Sequence, residues 1–234
     1  MHRRILEAKS QNKYSSHRRR DIEEKLLSDV VHKIKNNLGG IGGFAALLDR
    51  DLEPNDARKR LVRRIQDGVV RMNEVVVSLM TLVREHEPCY KKVQLRSLVK
   101  DAWENYWGRD EQGMLPNLPQ FNGKIELSAD PQLIAQMVFH AIRFIDLMGG
   151  QIESIEWVEK PRNRVSVEYG FLNGSLSSKE DESISRLMYD CEPLEARLSL
   201  AIVLRMAKLH SGSVSIVTRS GNLKVLKVQL MKGC

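Results

Sequence analysis

The sequence predicts an α+β protein: an N-terminal αα-hairpin forming a dimeric four-helix bundle, followed by an α/β sandwich. Three observations carry this. Apolar residues recur every three or four positions over 21–52 and again over 61–83, the period of a helix with one covered face. The break between these stretches, "EPND", is short, so the two helices must run antiparallel. From Val93 onward helical and strand-like segments alternate, as in helices packed on a sheet.

The first helix carries Ile22, Leu26, Val30, Ile34, Leu38, Ile41, Ala45, Leu48 and Leu52 on one stripe. In "EPND", Pro54 forms the turn and Asn55 or Asp56 offers an N-cap. The second helix carries Leu61, Ile65, Val69, Met72, Val76, Leu79 and Val83. It stops at "EHEP", because Pro88 pushes Glu87 out of helical geometry. A single hairpin cannot cover both stripes, whereas two copies can, so a homodimer is expected. The expected division is a basic tail or helix extension over 1–20, the hairpin domain over 21–88, and the sandwich over 93–234.

In the second part, "LRSLVKDAWENYW" reads as a helix and "GRDEQGMLPNLPQFNG" as a loop. The strand "KIELS" precedes the helix "DPQLIAQMVFHAIRFIDLM", with Asp130 as N-cap and Pro131 in the first turn. "QIESIEWVE" and "RVSVEYG" alternate like antiparallel strands. A polar loop, "FLNGSLSSKEDES", leads to the helix "PLEARLSLAIVLRMAKLH", and the strands "SVSIVTR" and "LKVLKVQL" flank the turn "SGN".

Composition narrows the function. The net charge of +7 is concentrated in residues 1–20, where seven Lys/Arg face one acid, leaving 30 basic and 29 acidic residues elsewhere. Basicity is thus a property of one end, and nucleic acid is not the expected partner. No apolar run has the length of a membrane span, and the N-terminal stretch lacks a secretory apolar segment. Cys89, Cys191 and Cys234 form no CxxC pair, which suggests a reducing, cytoplasmic setting and no zinc site.

Chemistry points to "VVHKIKNNLGGIGGFAALL" (30–48). His32 lies two residues off the Ile34 stripe, about 200° around the helix, so it faces solvent. Lys35 at i+3 and Asn36 at i+4 share its face. An exposed imidazole is a nucleophile near neutral pH, and neighbouring amines stabilise a phosphoryl dianion. Gly39, Gly40, Gly42 and Gly43 follow within the helix, although each costs roughly 1 kcal/mol relative to Ala. A surface lowered by missing side chains lets another backbone approach. No strand precedes these glycines and no Lys-Ser/Thr follows them, so they do not form a nucleotide loop.

"HKIKNNL" followed by "GGIGGFAALLDRDL" resembles the phosphoacceptor helix of two-component histidine kinases, most nearly the nitrogen-regulatory and flagellar type. The resemblance continues through "LVRRIQDGVVRMNEVVVSLMTLVREHEP" and faintly to "LAIVLRMAKLHSGSVSI", which is similar to the end of the family's ATP-binding domain. It implies that His32 carries a phosphoryl group, with Lys35 as charge stabiliser and Asn36 as a polar positioning residue. Lys33, Gly39, Gly40, Gly42 and Gly43 would then meet a response-regulator receiver domain.

The family's nucleotide-binding pattern is broken. His140 stands where an Asn would hold magnesium, Tyr169 where an aspartate would meet adenine, and Arg197 and Ser199 where phosphate-loop glycines belong. Lys33 occupies the place of the acid that assists attack on ATP. The expectation is therefore a histidine phosphotransferase whose sandwich resembles a degenerate kinase ATPase domain. It binds no cofactor itself, and magnesium comes on the partner receiver. The alternatives are an adaptor that binds a kinase or regulator without phosphate transfer, and a divergent active kinase.

Overall fold

The computed structural model describes the backbone of residues 2–84, 86–108, 120–122, 126–173, 184–219 and 223–232. Side chains are described over 25–84, 86–108, 126–172, 184–189, 191–219 and 223–232. Two compact units divide at Glu85/His86.

The first unit is a helical hairpin of α1 (His2–Asp51) and α2 (Lys59–Val83). Helix α1 runs unbroken through the glycines and back to His2, so residues 2–20 continue the first helix. The apolar stripe expected on α1 divides in two. Leu38 and Ala45 of that stripe are buried, in register with Val31, which the expected stripe left out, whereas Val30, Ile34, Ile41 and Leu48 stay exposed. On α2 likewise, Val76 of the expected stripe is buried together with Val62, which the stripe left out, and Leu61, Ile65, Met72, Leu79 and Val83 are exposed. A helix has about 3.6 residues per turn, so one edge of a wide stripe meets its own chain while the other remains open.

The turn departs from the expected cap. Arg58 is the N-cap residue of α2 and makes no side-chain cap bond. Asp56 instead accepts the Arg58 backbone N–H at 2.8 Å and its Nε–H at 3.0 Å. Those hydrogen bonds, led by the side-chain bond to Arg58, lower the Asp56 carboxyl to about 2.

The second unit begins with β1 (Lys91–Gln94) and α3 (Leu95–Trp107), then β2 (Gln120–Asn122), β3 (Glu126–Ala129) and α4 (Pro131–Leu147). Next come β4 (Gly150–Lys160), β5 (Arg164–Asn173), α5 (Ile184–Asp190), α6 (Leu194–Leu209), β6 (Ser213–Thr218) and β7 (Lys224–Met231). The main sheet has the order β2-β4-β5-β7-β6, and β1 pairs with β3 separately. Within the main sheet β2 runs parallel to β4 and the other pairings are antiparallel.

Cross-strand partners share a face, which assigns Trp157, Val167 and Val228 to one side, with Ile155, Tyr169 and Leu226 beside them. These side chains are buried together with Ile134, Met137, Ala141 and Ile145 of α4 and Leu200, Val203 and Met206 of α6. Asp130 caps α4 as its sequence required, accepting N–H bonds from Gln132 at 2.9 Å and Leu133 at 3.2 Å. It also accepts the Cys89 N–H at 2.8 Å. Burial opposes ionisation of Asp130, but these three amides outweigh it and hold the carboxyl below its ordinary value.

Three short elements were not expected: β1, β2 (placed in a loop) and α5. The turn "SGN" (220–222) and most of the loops 109–119 and 174–183 lie outside the described residues.

Candidate functional site

Helix α1 holds His32 exposed to solvent, with Lys33, Lys35 and Asn36 also exposed. The Asn36 amide nitrogen lies 3.2 Å from His32 Nδ1, the contact that i,i+4 spacing makes possible. Among the described residues this is the hydrogen-bond contact of the ring. The structure thus brings His32 and Asn36 together, while Lys35 stands one turn along the same exposed surface.

The four glycines do not act alike. At about 100° per residue, Gly39 and Gly43 fall within roughly 20° of the His32 direction, Gly40 roughly 80° away. A Cβ at Gly39, Gly40 or Gly43 would meet no atom within 4 Å. Gly42 is half-buried, and its Cβ would sit 3.5 Å from Val69 Cγ1. It faces α2 and packs the hairpin, so it does not belong with the open glycines beside His32. Lys33 projects from the flank, about 100° from His32.

Two residues were passed over in the sequence. Leu47, 48% exposed, follows Gly43 by one turn, and Phe44 is 75% exposed. Their signal was available: each is a large apolar residue off the main stripe. A low floor of glycine bordered by apolar side chains suits close approach of a protein surface.

In the second unit, His140 of α4 is buried with its ring edge-on to Phe139 at 5.3 Å. Burial, helped by the Arg143 charge, lowers its pKa to about 4, so the ring is neutral at pH 7. Its Nδ1 has no hydrogen-bond partner among the described residues. Tyr169 of β5 is fully buried, its Oη is likewise without a partner there, and burial pushes its ionisation upward. Near the start of α6, Arg197 donates to the Tyr189 carbonyl at 3.4 Å and lies 3.6 Å from Glu192, while Ser199 is buried.

A helical hairpin with an exposed histidine about two turns before open glycines, followed by a mixed sheet domain, is an arrangement similar to that of histidine kinases. Residues 22–88 match the family model described as the His Kinase A (phospho-acceptor) domain. The chain is 27% identical over 124 residues to the sensor protein kinase PilS of Pseudomonas aeruginosa, a match covering 51% of this chain and 23% of that protein. Full-length ShkA, solved in complex with AMPPNP, superposes with a TM-score of 0.64 and 16% identity, over 88% of this chain and 45% of ShkA. The Acinetobacter baumannii histidine kinase AdeS gives 0.53 and 10%, over 86% of this chain and 96% of AdeS. At those identities the structural likeness concerns the fold. The matched part spans about a quarter of the length of PilS. Among the described residues no helix is long and apolar enough to cross a membrane.

Proposed function

We propose that this chain is a dimeric histidine phosphotransferase that carries a phosphoryl group on His32 between response-regulator receiver domains, without phosphorylating itself from ATP. The observation that carries this reading is the contrast between an exposed His32 and a buried His140 and Tyr169. The kinase resemblance assigns those two positions to a magnesium ligand and an adenine-binding carboxylate.

Neither residue fits ATP and magnesium. A hard cation prefers oxygen ligands, and His140 offers a neutral ring nitrogen inside the core. A buried phenol held in its protonated form supplies no carboxylate for an exocyclic amine. No step of the reaction is therefore routed through nucleotide on this chain. Transfer between proteins asks less of it. The receiver brings the metal and the acyl phosphate, and this chain supplies an accessible nucleophile, the cationic side chains of Lys33 and Lys35, and a floor low enough for approach.

Dimerisation is supported by the open stripes of the hairpin, Val30, Ile34, Ile41 and Leu48 on α1 and Leu61, Ile65, Met72, Leu79 and Val83 on α2. Large contiguous apolar faces are rarely left to water.

The test is transfer of radiolabel. Incubation with a labelled phospho-receiver should place acid-labile phosphate on the wild-type chain and none on His32→Ala. Label taken directly from ATP would overturn the carrier reading in favour of a kinase. Full signalling in cells by His32→Gln would overturn it in favour of an adaptor.

A further inference from the structure

We infer that Asn36 is the positioning residue that lets His32 hold a phosphoryl group as well as accept one, its amide serving both forms of the ring. This rests on the carrier reading above and assigns the hydrogen-bond partner of its nucleophile.

The starting point is the 3.2 Å contact between Asn36 Nδ2 and His32 Nδ1. Oriented this way, the amide N–H donates and Nδ1 accepts, so the neutral ring carries its proton on Nε2. Nδ1 is occupied by Asn36, which leaves Nε2 as the nitrogen open to a partner. Residue 33, where the kinase resemblance expects an acid, is Lys33, and an ammonium can only donate. Asn36 is therefore the side chain available to govern the Nδ1 proton.

An amide has a property that a carboxylate lacks: it can donate or accept. To attack, Nε2 needs a free lone pair, which places the proton on Nδ1. Rotating the Asn36 amide by half a turn presents Oδ1 to accept that Nδ1–H. The Nε2 lone pair then forms the N–P bond as the P–O bond to the receiver's aspartate breaks, and the carboxylate leaves with the electron pair. The Nδ1 proton passes to water. The loaded ring now has phosphorus on Nε2 and a lone pair on Nδ1, and the Nδ2–H donates to it, in the orientation the structure holds. Unloading reverses each step: Nδ1 takes a proton from water, the acceptor's carboxylate attacks phosphorus, and the N–P electrons return to the ring. Donation to Nδ1 opposes that protonation and so preserves the stored phosphate. A carboxylate would favour the protonated, labile form.

The test uses the full chain labelled with ¹⁵N-histidine and loaded by phosphoramidate, a small donor that needs neither receiver nor ATP. In the unloaded wild type, long-range ¹H–¹⁵N spectra should show His32 mainly as the Nε2–H tautomer. Asn36→Asp should move it to Nδ1–H, and Asn36→Ala should give a mixture. After loading, phosphate should leave Asn36→Asp about fivefold to tenfold faster than wild type at the same pH, the scale of one net hydrogen bond. Asn36→Ala should fall between them. Residue 36 is on an exposed helix face, and circular dichroism verifies folding of each variant. Identical tautomer signals and identical loss rates in the three proteins would overturn the inference. Failure of receivers to label His32, with the spectral differences intact, would instead remove the carrier reading alone.

Discussion

His140 and Tyr169 are polar side chains held inside the core, each with an atom that has no hydrogen-bond partner among the described residues. The unfolded chain protonates a histidine near its ordinary value of 6.5, whereas the folded His140 ring remains neutral down to about 4. Between those values the unfolded state binds the extra proton, so stability is fully present above the upper value and is lost as pH falls. The full loss is about 3 kcal/mol by linkage. Asp130, held below its ordinary value, adds to the loss only toward the acid end of this window, where the unfolded carboxyl begins to take up protons. Urea midpoints of the sheet domain between pH 7 and pH 4 should therefore decline in the wild type. The decline should flatten in His140→Leu, which has no proton to gain. An unchanged slope in that variant would show that other groups set the acid limit. The same pair tells what was legible at this scale. That His140 and Tyr169 stand where the kinase resemblance expects other residues could be read from the sequence; that both are enclosed by the core could not, because burial depends on how the elements pack.

At the scale of elements, the glycines offer the clearest separation of folding from function. Gly39, Gly40 and Gly43 face open space, so Ala at any one of them should stabilise α1 by up to about 1 kcal/mol through helix propensity. If the glycine floor exists for a docked receiver, the same substitutions should slow phosphotransfer although the melting temperature rises. Gly39→Ala with Gly43→Ala, compared by thermal denaturation and by rate of label transfer, checks both halves. A rise in melting temperature with unchanged transfer would deprive the floor of a role. Gly42→Ala is the control inside the hairpin, since its Cβ would rest against Val69 at ordinary contact distance.

The sequence distinguished helix from strand well where periodicity was long. The stretch "LRSLVKDAWENYW" is α3 residue for residue, and Asp130 with Pro131 marked the start of α4. It failed for β1, β2 and α5, which have four, three and seven residues, too few for a period to emerge. It also could not separate Gly42 from its neighbours. Spacing orders side chains around a helix, but which side α2 occupies is decided by residues about 27 positions away, at Val69. The His32–Asn36 contact, by contrast, follows from spacing alone and needed no tertiary information.

For the whole molecule, the two units have very different means of support. Among the described residues the hairpin buries Val31, Leu38, Ala45, Val62 and Val76, whereas the sheet domain encloses a continuous core from Val93 to Leu230. Helices this poor in covered apolar area are marginal alone, since most helical stability in proteins comes from packing one face. A second copy of the hairpin would cover the remaining stripe, at roughly 1.5–3 kcal/mol for each large side chain fully removed from water. Stability of the hairpin should then depend on protein concentration, as mass action requires of any fold completed by association, while that of the sheet domain should not. The decisive variant is Ile41→Glu, which places a charge in the middle of the open stripe on α1. Sedimentation should show a dimer for the wild type and a monomer for Ile41→Glu at the same concentration. Melting followed by helical circular dichroism should lose its early, concentration-dependent transition to a lower temperature and keep the later one. A wild-type chain that sediments as a monomer with a single concentration-independent transition would mean that the stripe is covered by something other than a second copy, and the carrier would have to work as one hairpin.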